Sequence, residues 1–476
     1  MDDEWLFEGF PTDLFGKRRE RVLGELGRGA MVLPAAPLLL LTGDSELPYR
    51  PDSELFYLTG FGEPGALLVL RGFADEERSI LFVRPRSPDE ELWSGPRLGP
   101  ERVVEEVGVD AARSMTDLAS ELPRLLAGAD RVHFRLGAHP SVEPLVVEAV
   151  RQARARGSRK GTGPRGVVDP GEILDELRLR KSPEEVEALR EAARITGLGV
   201  RRAMKAAAPG MGEWELEAVV ESTFRRERAR GPAFGTIVGS GSNACVLHYV
   251  ANTRRMEGGD LVLLDAGAEV RMYAGDMSRT FPVSGRFGPE QKDVYQVVEA
   301  ARARAVETVR AGATVEEVHS SAVMALMDGL LALEILEGDP EELIGIGAHK
   351  PFFPHRTSHW LGLNAHDPGD YVRDGASRIL EAGMVLTVEP GLYFPPRDAG
   401  VGDRGASDEA RGTEEVGEGG RDDAAPFRGI GVRVEDTVLV TADGPEILTA
   451  DVPSELGAVE EMVGENALRG SASSSP

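Results

Sequence analysis

The chain has one cysteine, Cys245, among 476 residues. No disulfide can close within it, and a zinc site built on several thiolates is excluded. Long apolar runs are missing as well. The longest near the N-terminus, residues 31–41, contains two prolines and is far too short to span a bilayer. Residues 1–8 carry four acids and no base, so they lack the charged opening of a secretory signal. Positive charge is in deficit, with 54 Lys and Arg against 80 Asp and Glu and a formal charge of −26. A sequence-independent nucleic-acid binder needs a basic footprint, and so does a protein that docks on an anionic membrane. Walker A and Gly-x-Ser-x-Gly motifs are absent, and the GSGS string at 239–242 lacks the full dinucleotide-binding spacing. These absences lead to an expectation of a cytoplasmic protein with no nucleic acid or membrane as partner.

What is present suits a soluble chain of two or three domains, with 41% hydrophobic and 28% charged residues. Residues 1–172 alternate short apolar strands, at 66–70, 79–83 and near 131–136, with helical patterns, so an α/β domain is expected there. Residues 157–171 are rich in Gly, Pro and basic side chains and read as a linker or exposed turn. Ser182-Pro183-Glu184-Glu185 then places a cap, a first-turn proline and a capping-box glutamate in order, so a helix is expected to about 208. Residues 173–460 continue as helices, strands, two long helices near 290–310 and 315–334, and strands again, which reads as α+β. The segment 400–425 holds seven Gly, eight acids and three Arg and cannot bury enough surface to order itself. Residues 461–476 form a polar tail.

Acidic residues sit in unexpected company. Asp265 ends the apolar run Leu261–Leu264, which has the texture of a buried strand. In a simple hairpin centred between Val270 and Arg271, Asp276 would face Asp265 directly. Like charges across a ladder destabilise it, and a cation between them is one resolution. The plainer one is that one aspartate caps the turn while the other is solvated. Glu389 and Glu435 repeat the oddity, each following a valine at the end of an apolar strand. Three of the eight histidines, His355, His359 and His366, fall within twelve residues, and His248 lies in another apolar, strand-like context. Oxygen ligands with imidazole and no thiolate suit Mn, Mg, Co or Zn. Four carboxylates would overcharge one ion but suit two, a pair able to activate a bridging water for hydrolysis.

The strings around these residues are LHYVANT (247–253), LVLLDAGAEVRMYAGDMSRTFPVSG (261–285), HRTSHWLGLNAHDPGDY (355–371), MVLTVEPGLY (384–393) and GIGVRVEDTVLVT (429–441). Together they resemble the pita-bread metallopeptidases, and among these the aminopeptidase P (Xaa-Pro aminopeptidase) family. DSELFYLTGFGEPGALLVL (52–70) and LWSGPRLG (92–99) are similar to that family's first domain, so the resemblance covers about residues 1–460.

The resemblance implies an α+β C-terminal pita-bread domain with a smaller α/β N-terminal domain that mediates self-association into a homo-oligomer. It implies two divalent ions, commonly manganese, on Asp265, Asp276, His359, Glu389 and Glu435. Glu389 would also carry a proton to the leaving group, with His248 and His366 stabilising the tetrahedral intermediate. His355, Arg433 and Tyr393 would shape the proline pocket, and Trp93 would reach over from a neighbouring subunit or domain. The implied substrates are peptides with proline second. That chemistry is coherent: a tertiary amide has no N–H for strand-like docking, and its proline nitrogen must be protonated as it leaves. Prolidase, restricted to dipeptides, shares the same centre, and degenerate pita-bread domains act as peptide-binding modules. The large N-terminal domain disfavours methionine aminopeptidase. The family joins the Glu389 and Glu435 strands by a shorter loop, so 400–425 is expected to be a solvated insertion that leaves the flanking motifs intact.

Overall fold

The computed structural model describes residues 10–11, 13–396 and 424–463. The chain divides into two compact units, Met1–Arg178 and Leu179–Pro476, and the division falls inside helix Gly171–Leu179. Most of the insert at 400–425 and of the tail at 461–476 lies outside the described residues. No helix among the described residues is long and apolar enough to cross a membrane.

The first unit is built on a six-stranded sheet. Its order is Ala111–Ser114, Ser79–Val83, Leu67–Arg71, Ala30–Pro34, Val132–His133 and Val167–Val168. The three central strands are apolar at nearly every position and almost wholly buried, as a sheet covered on both faces requires. Helices Leu118–Leu125 and Glu143–Gly157 contribute Leu122, Leu125, Val146 and Ala153 to the core. One expectation is corrected here: residues 157–171 are not simply a linker. Val167–Val168 pairs in parallel with Val132–His133 as the edge strand, because its backbone groups can be satisfied there, with Val168 O accepting from Phe134 N at 2.9 Å. The surrounding glycines and prolines mask so short a strand.

In the second unit each half supplies a helix pair and a hairpin. Helix Pro183–Ala206 packs on Glu213–Arg226, and Pro289–Thr308 on Val315–Ala332. The first helix starts where the sequence places it, with the Ser182 hydroxyl accepting from Glu185 N and the Glu185 carboxylate accepting from Ser182 N. Strand Leu261–Ala266 pairs with Met277–Pro282 and with Ile237–Ser240. Strand Val385–Val388 pairs with Asp436–Thr441, and Gly391–Tyr393 with Gly431–Arg433.

The register of the first hairpin differs from the sequence reading. Asp265 pairs with Ser278, not Asp276. The chain reverses at Arg271 and Met272, whose φ angles are 50° and 71°, so the turn is centred one residue later than expected. Asp276 therefore lies diagonally from Asp265, still on the same face. In the second hairpin, Val388 pairs with Asp436 and Gly391 with Arg433, and on that register Glu389 lies across from Glu435. Glu435 consequently sits between two short strands rather than at the end of one.

Side-chain and backbone bonds join the hairpins. Glu435 N donates to Ser278 O at 3.1 Å, the Thr280 hydroxyl to Arg433 O at 2.9 Å, and the Thr437 hydroxyl to Asp276 O at 2.7 Å. Acids far apart in sequence are thereby drawn to one place.

Candidate metal centre

Asp276, His359 and Glu435 offer ligand atoms that all lie within 4.8 Å of one another. His359 Nε2 is 3.4 Å from Asp276 Oδ2 and 3.7 Å from Glu389 Oε1. His359 is positioned by the segment 357–361, which runs along strand Val385–Val388. Thr387 N donates to His359 O at 2.9 Å, and Glu389 N to Thr357 O at 2.8 Å. Its Nδ1 faces the Trp360 carbonyl at 3.1 Å. A carbonyl can only accept, so Nδ1 carries the proton and Nε2 presents a lone pair to the acids. Burial, aided by the neighbouring His366, lowers the His359 pKa to about 4, so the ring is neutral at pH 7.

Asp276, Glu389 and Glu435 gather at this imidazole, with Asp265 close enough to the three acids to raise each of them, and the electrostatics are costly. Burial first, then Glu435, Asp265 and Glu389, holds Asp276 well above the usual carboxylate range. Burial and Glu435 do the same to Glu389. Burial and Asp265 push Glu435 up to about 8. The sequence reading called for positive charge here, and one source is internal. Arg433 is buried and donates to Asp265 Oδ2 at 2.6 Å, the Ser278 hydroxyl at 2.9 Å and the Tyr393 hydroxyl at 3.1 Å. The Ser278 hydroxyl in turn donates to Glu435 Oε2 at 2.7 Å, and Tyr393 OH lies 3.0 Å from His355 Nε2. Arg433, a residue expected in the substrate pocket, is thus also a hub for the acids. A single guanidinium cannot neutralise four of them, and Asp265 Oδ1 remains buried with no hydrogen-bond partner. Orphaned carboxylate oxygen, raised carboxyl pKa values and an oriented neutral imidazole are what a divalent-cation site presents before loading. The five residues fit such ions.

The remaining expected residues are spread around this cluster. His355 Nδ1 lies 2.8 Å from the Arg356 carbonyl and 3.8 Å from Glu389 Oε2, and burial lowers its pKa to about 3. His366 stacks edge-on against His359, with ring centroids 4.5 Å apart, and is exposed. His248 is exposed too; it sits in a turn after the short helix Gly241–Cys245 and not on a strand, because Gly241 (φ 55°) reverses the chain there. Trp93 lies on helix Pro88–Ser94 of the first unit with 89% of its surface exposed.

Several supporting residues escaped the sequence reading. Ser278 is one, and its register opposite Asp265 was its only signal. Tyr371 stacks on Trp360 at 5.4 Å and its hydroxyl accepts from Trp360 N at 3.0 Å. His319 lies 2.8 Å from the Thr357 hydroxyl. Lys181 and Asp367 form a fully buried ion pair at 3.2 Å beside His366. Nothing in the local sequence marks these last three.

An α+β unit whose central hairpins gather buried acids around one imidazole is that of a metal-dependent hydrolase. Residues 187–442 match metallopeptidase family M24, and residues 15–133 match the aminopeptidase P N-terminal domain. The chain is 42% identical to the Xaa-Pro aminopeptidase of Escherichia coli K12 over 94% of its length and 97% of the relative's. It is 38% identical to that of Haemophilus influenzae over 95% and 97%. Among solved structures, an aminopeptidase of Pseudomonas aeruginosa superposes with TM-score 0.88 at 38% identity, covering 96% of this chain and 99% of that one. A substrate complex of a variant Escherichia coli aminopeptidase P gives 0.87 at 40%, covering 97% and 100%. A zinc-substituted product complex of the same enzyme gives 0.86 at 40%, covering 96% and 99%. The chain belongs to metallopeptidase family M24, in the branch that carries the aminopeptidase P N-terminal domain. Its second unit has the expected α+β pita-bread fold and its first the smaller α/β fold.

Proposed function

We propose that this protein is an Xaa-Pro aminopeptidase, releasing the first residue from peptides with proline second. The observation that carries the reading is the gathering of Asp276, Glu389 and Glu435 at His359 with Asp265 beside these acids, within a chain similar over 94% of its length to an Xaa-Pro aminopeptidase. Those five residues would hold two divalent ions, manganese in the first instance. Bound there, the ions supply Lewis acidity and an activated water. Glu389 moves the proton: its side chain is only 18% exposed and its oxygens lie near His355 and His359, where a carboxyl can pass a proton to the proline nitrogen as it leaves. His248 and His366 donate to the oxyanion that develops on the scissile carbonyl. His355, Tyr393 and Arg433 form the wall of the proline slot, and Trp93 of a second copy completes it, which makes the working protein a homo-oligomer. The setting is cytoplasmic.

The test is a rate assay on Xaa-Pro-Yaa, Xaa-Pro and Xaa-Ala-Yaa, with and without manganese. Metal-dependent turnover of the first substrate, with the alanine peptide refused, is expected. Turnover of the dipeptide alone would make it a prolidase, and no turnover with no retained ion would make it a binding module. Glu389→Gln should lower kcat by about 10²–10⁴-fold while the fold survives. A fully active variant would remove Glu389 from the proton path.

A further inference from the structure

Glu213 is buried without any exposed surface, and the groups that bond its carboxylate directly are neutral, with the Arg254 guanidinium one hydroxyl away through Ser240 at 2.9 Å. Neutral donors converge on it from one stretch of chain. Oε1 accepts from Ser240 N at 2.8 Å, the Ser240 hydroxyl at 2.6 Å and Asn243 Nδ2 at 3.1 Å. Oε2 accepts from the Tyr249 hydroxyl at 2.9 Å and Arg254 N at 2.8 Å. A buried carboxylate is tolerated only with such complete hydrogen bonding. The donors come from both ends of the loop that follows strand Ile237–Ser240, so one side chain closes that loop like a clasp.

His248 lies at its tip. Between the clasped ends, exposure alternates residue by residue: Val246, His248 and Val250 are exposed, while Leu247 and Tyr249 are partly covered. Leu247 and Tyr249 pack against Ile237, Leu263 and Tyr393, and the Tyr393 hydroxyl lies 3.1 Å from Arg433 and 3.0 Å from His355. The inward residues and the clasp together set where the outward imidazole points. His248 is also near enough to His355 to lower its pKa.

We infer that Glu213 is a positioning residue for the hydrolysis, holding the 240–254 loop so that His248 meets the reacting carbonyl. The inference rests on the function proposed above. Displacement of a catalytic group by about 1 Å costs on the order of 10²-fold in rate. Glu213→Gln keeps the shape but turns an NH₂ group toward donors, so one end of the loop loses its acceptor.

Kinetics in a double-mutant cycle with His248→Ala test this. Glu213→Gln alone is expected to lower kcat on Xaa-Pro-Yaa at least 10-fold with KM within about twofold. In the His248→Ala background it should change kcat by less than about twofold. Losses that multiply would place the action of Glu213 elsewhere and overturn the inference. Amide exchange over 246–254 gives an activity-independent reading: faster exchange in Glu213→Gln is expected even if the wild-type protein cleaves no Xaa-Pro peptide, which separates failure of the clasp from failure of the proposed function. Unchanged exchange overturns the clasp itself. Should Glu213→Gln not fold, Tyr249→Phe deletes one donor and faces the same two tests.

Discussion

Glu435 and Asp436 are chain neighbours, each 2% exposed, and their carboxyls shift in opposite directions. Burial pushes both up, but Asp436 receives Arg279 and Arg302, each at 2.7 Å, and is held below its usual range. Glu435 has Asp265 beside it and rises to about 8. Partner identity therefore separates a structural acid from a site acid at equal burial. Asp175, in the first unit, is a third case. Burial raises it to about 6, with Arg135 a distant 4.0 Å away and Glu54 opposing. A carboxyl raised in the folded state contributes stability that is complete below its unfolded pKa of about 4 and lost as pH rises through about 6. Asp175→Asn should thus stabilise the protein at pH 8 by about 1 kcal/mol, after discounting for solvent screening, and by nothing at pH 4. Thermal melts of both proteins across that range check this; an equal gap at the two pH values would refute it. None of these states was legible from sequence. An acid after an apolar run signals burial, but Arg279 and Arg433 reach their partners from other strands and Arg302 from a helix.

At the scale of elements, helices were the readable part. Capping boxes and apolar periodicity are local, and the helices at Pro183–Ala206, Pro289–Thr308 and Val315–Ala332 begin within a residue or so of their signals. The hairpin that carries Asp265 and Asp276 was read one residue out of centre. Its reversal uses Arg271 and Met272 at positive φ, where glycine or asparagine would have announced a turn. What holds that hairpin is close backbone approach. A Cβ on Gly267 would lie 1.9 Å from the Gly275 carbonyl oxygen, and one on Gly275 would lie 2.3 Å from the Thr196 hydroxyl. Thr196 in turn accepts from Ala268 N at 2.9 Å, tying the hairpin to the first helix. Gly267→Ala must therefore spread the strands between the two aspartates. A loss of roughly 3 kcal/mol or more is expected, together with weakened metal binding. Denaturant melts with and without manganese measure both, and a variant of wild-type stability would mean the hairpin is looser than this packing.

Across the whole molecule, folding brings together like charges that repel, and a bound ligand must offset the cost. Without ions, Asp276, Glu389 and Glu435 all sit above the normal carboxylate range, chiefly through burial. Their folded pKa values exceed the unfolded ones, so their stabilising protons are lost as pH rises, through about 8 in the case of Glu435. The chelated protein should accordingly lose stability between pH 6 and pH 9. Divalent ions compete for the same oxygens, bind more tightly as those protons leave, and release protons on binding. At a hundred times its dissociation constant an ion adds about 2.7 kcal/mol. The melting temperature with saturating manganese should therefore stay nearly level over this range while that in chelator falls, and the gap should widen with pH. Calorimetric titration in buffers of different protonation enthalpy should register net proton release at pH 7. A gap that is constant with pH, or titration without proton release, would mean that these acids are already ionised and apart before any ion arrives.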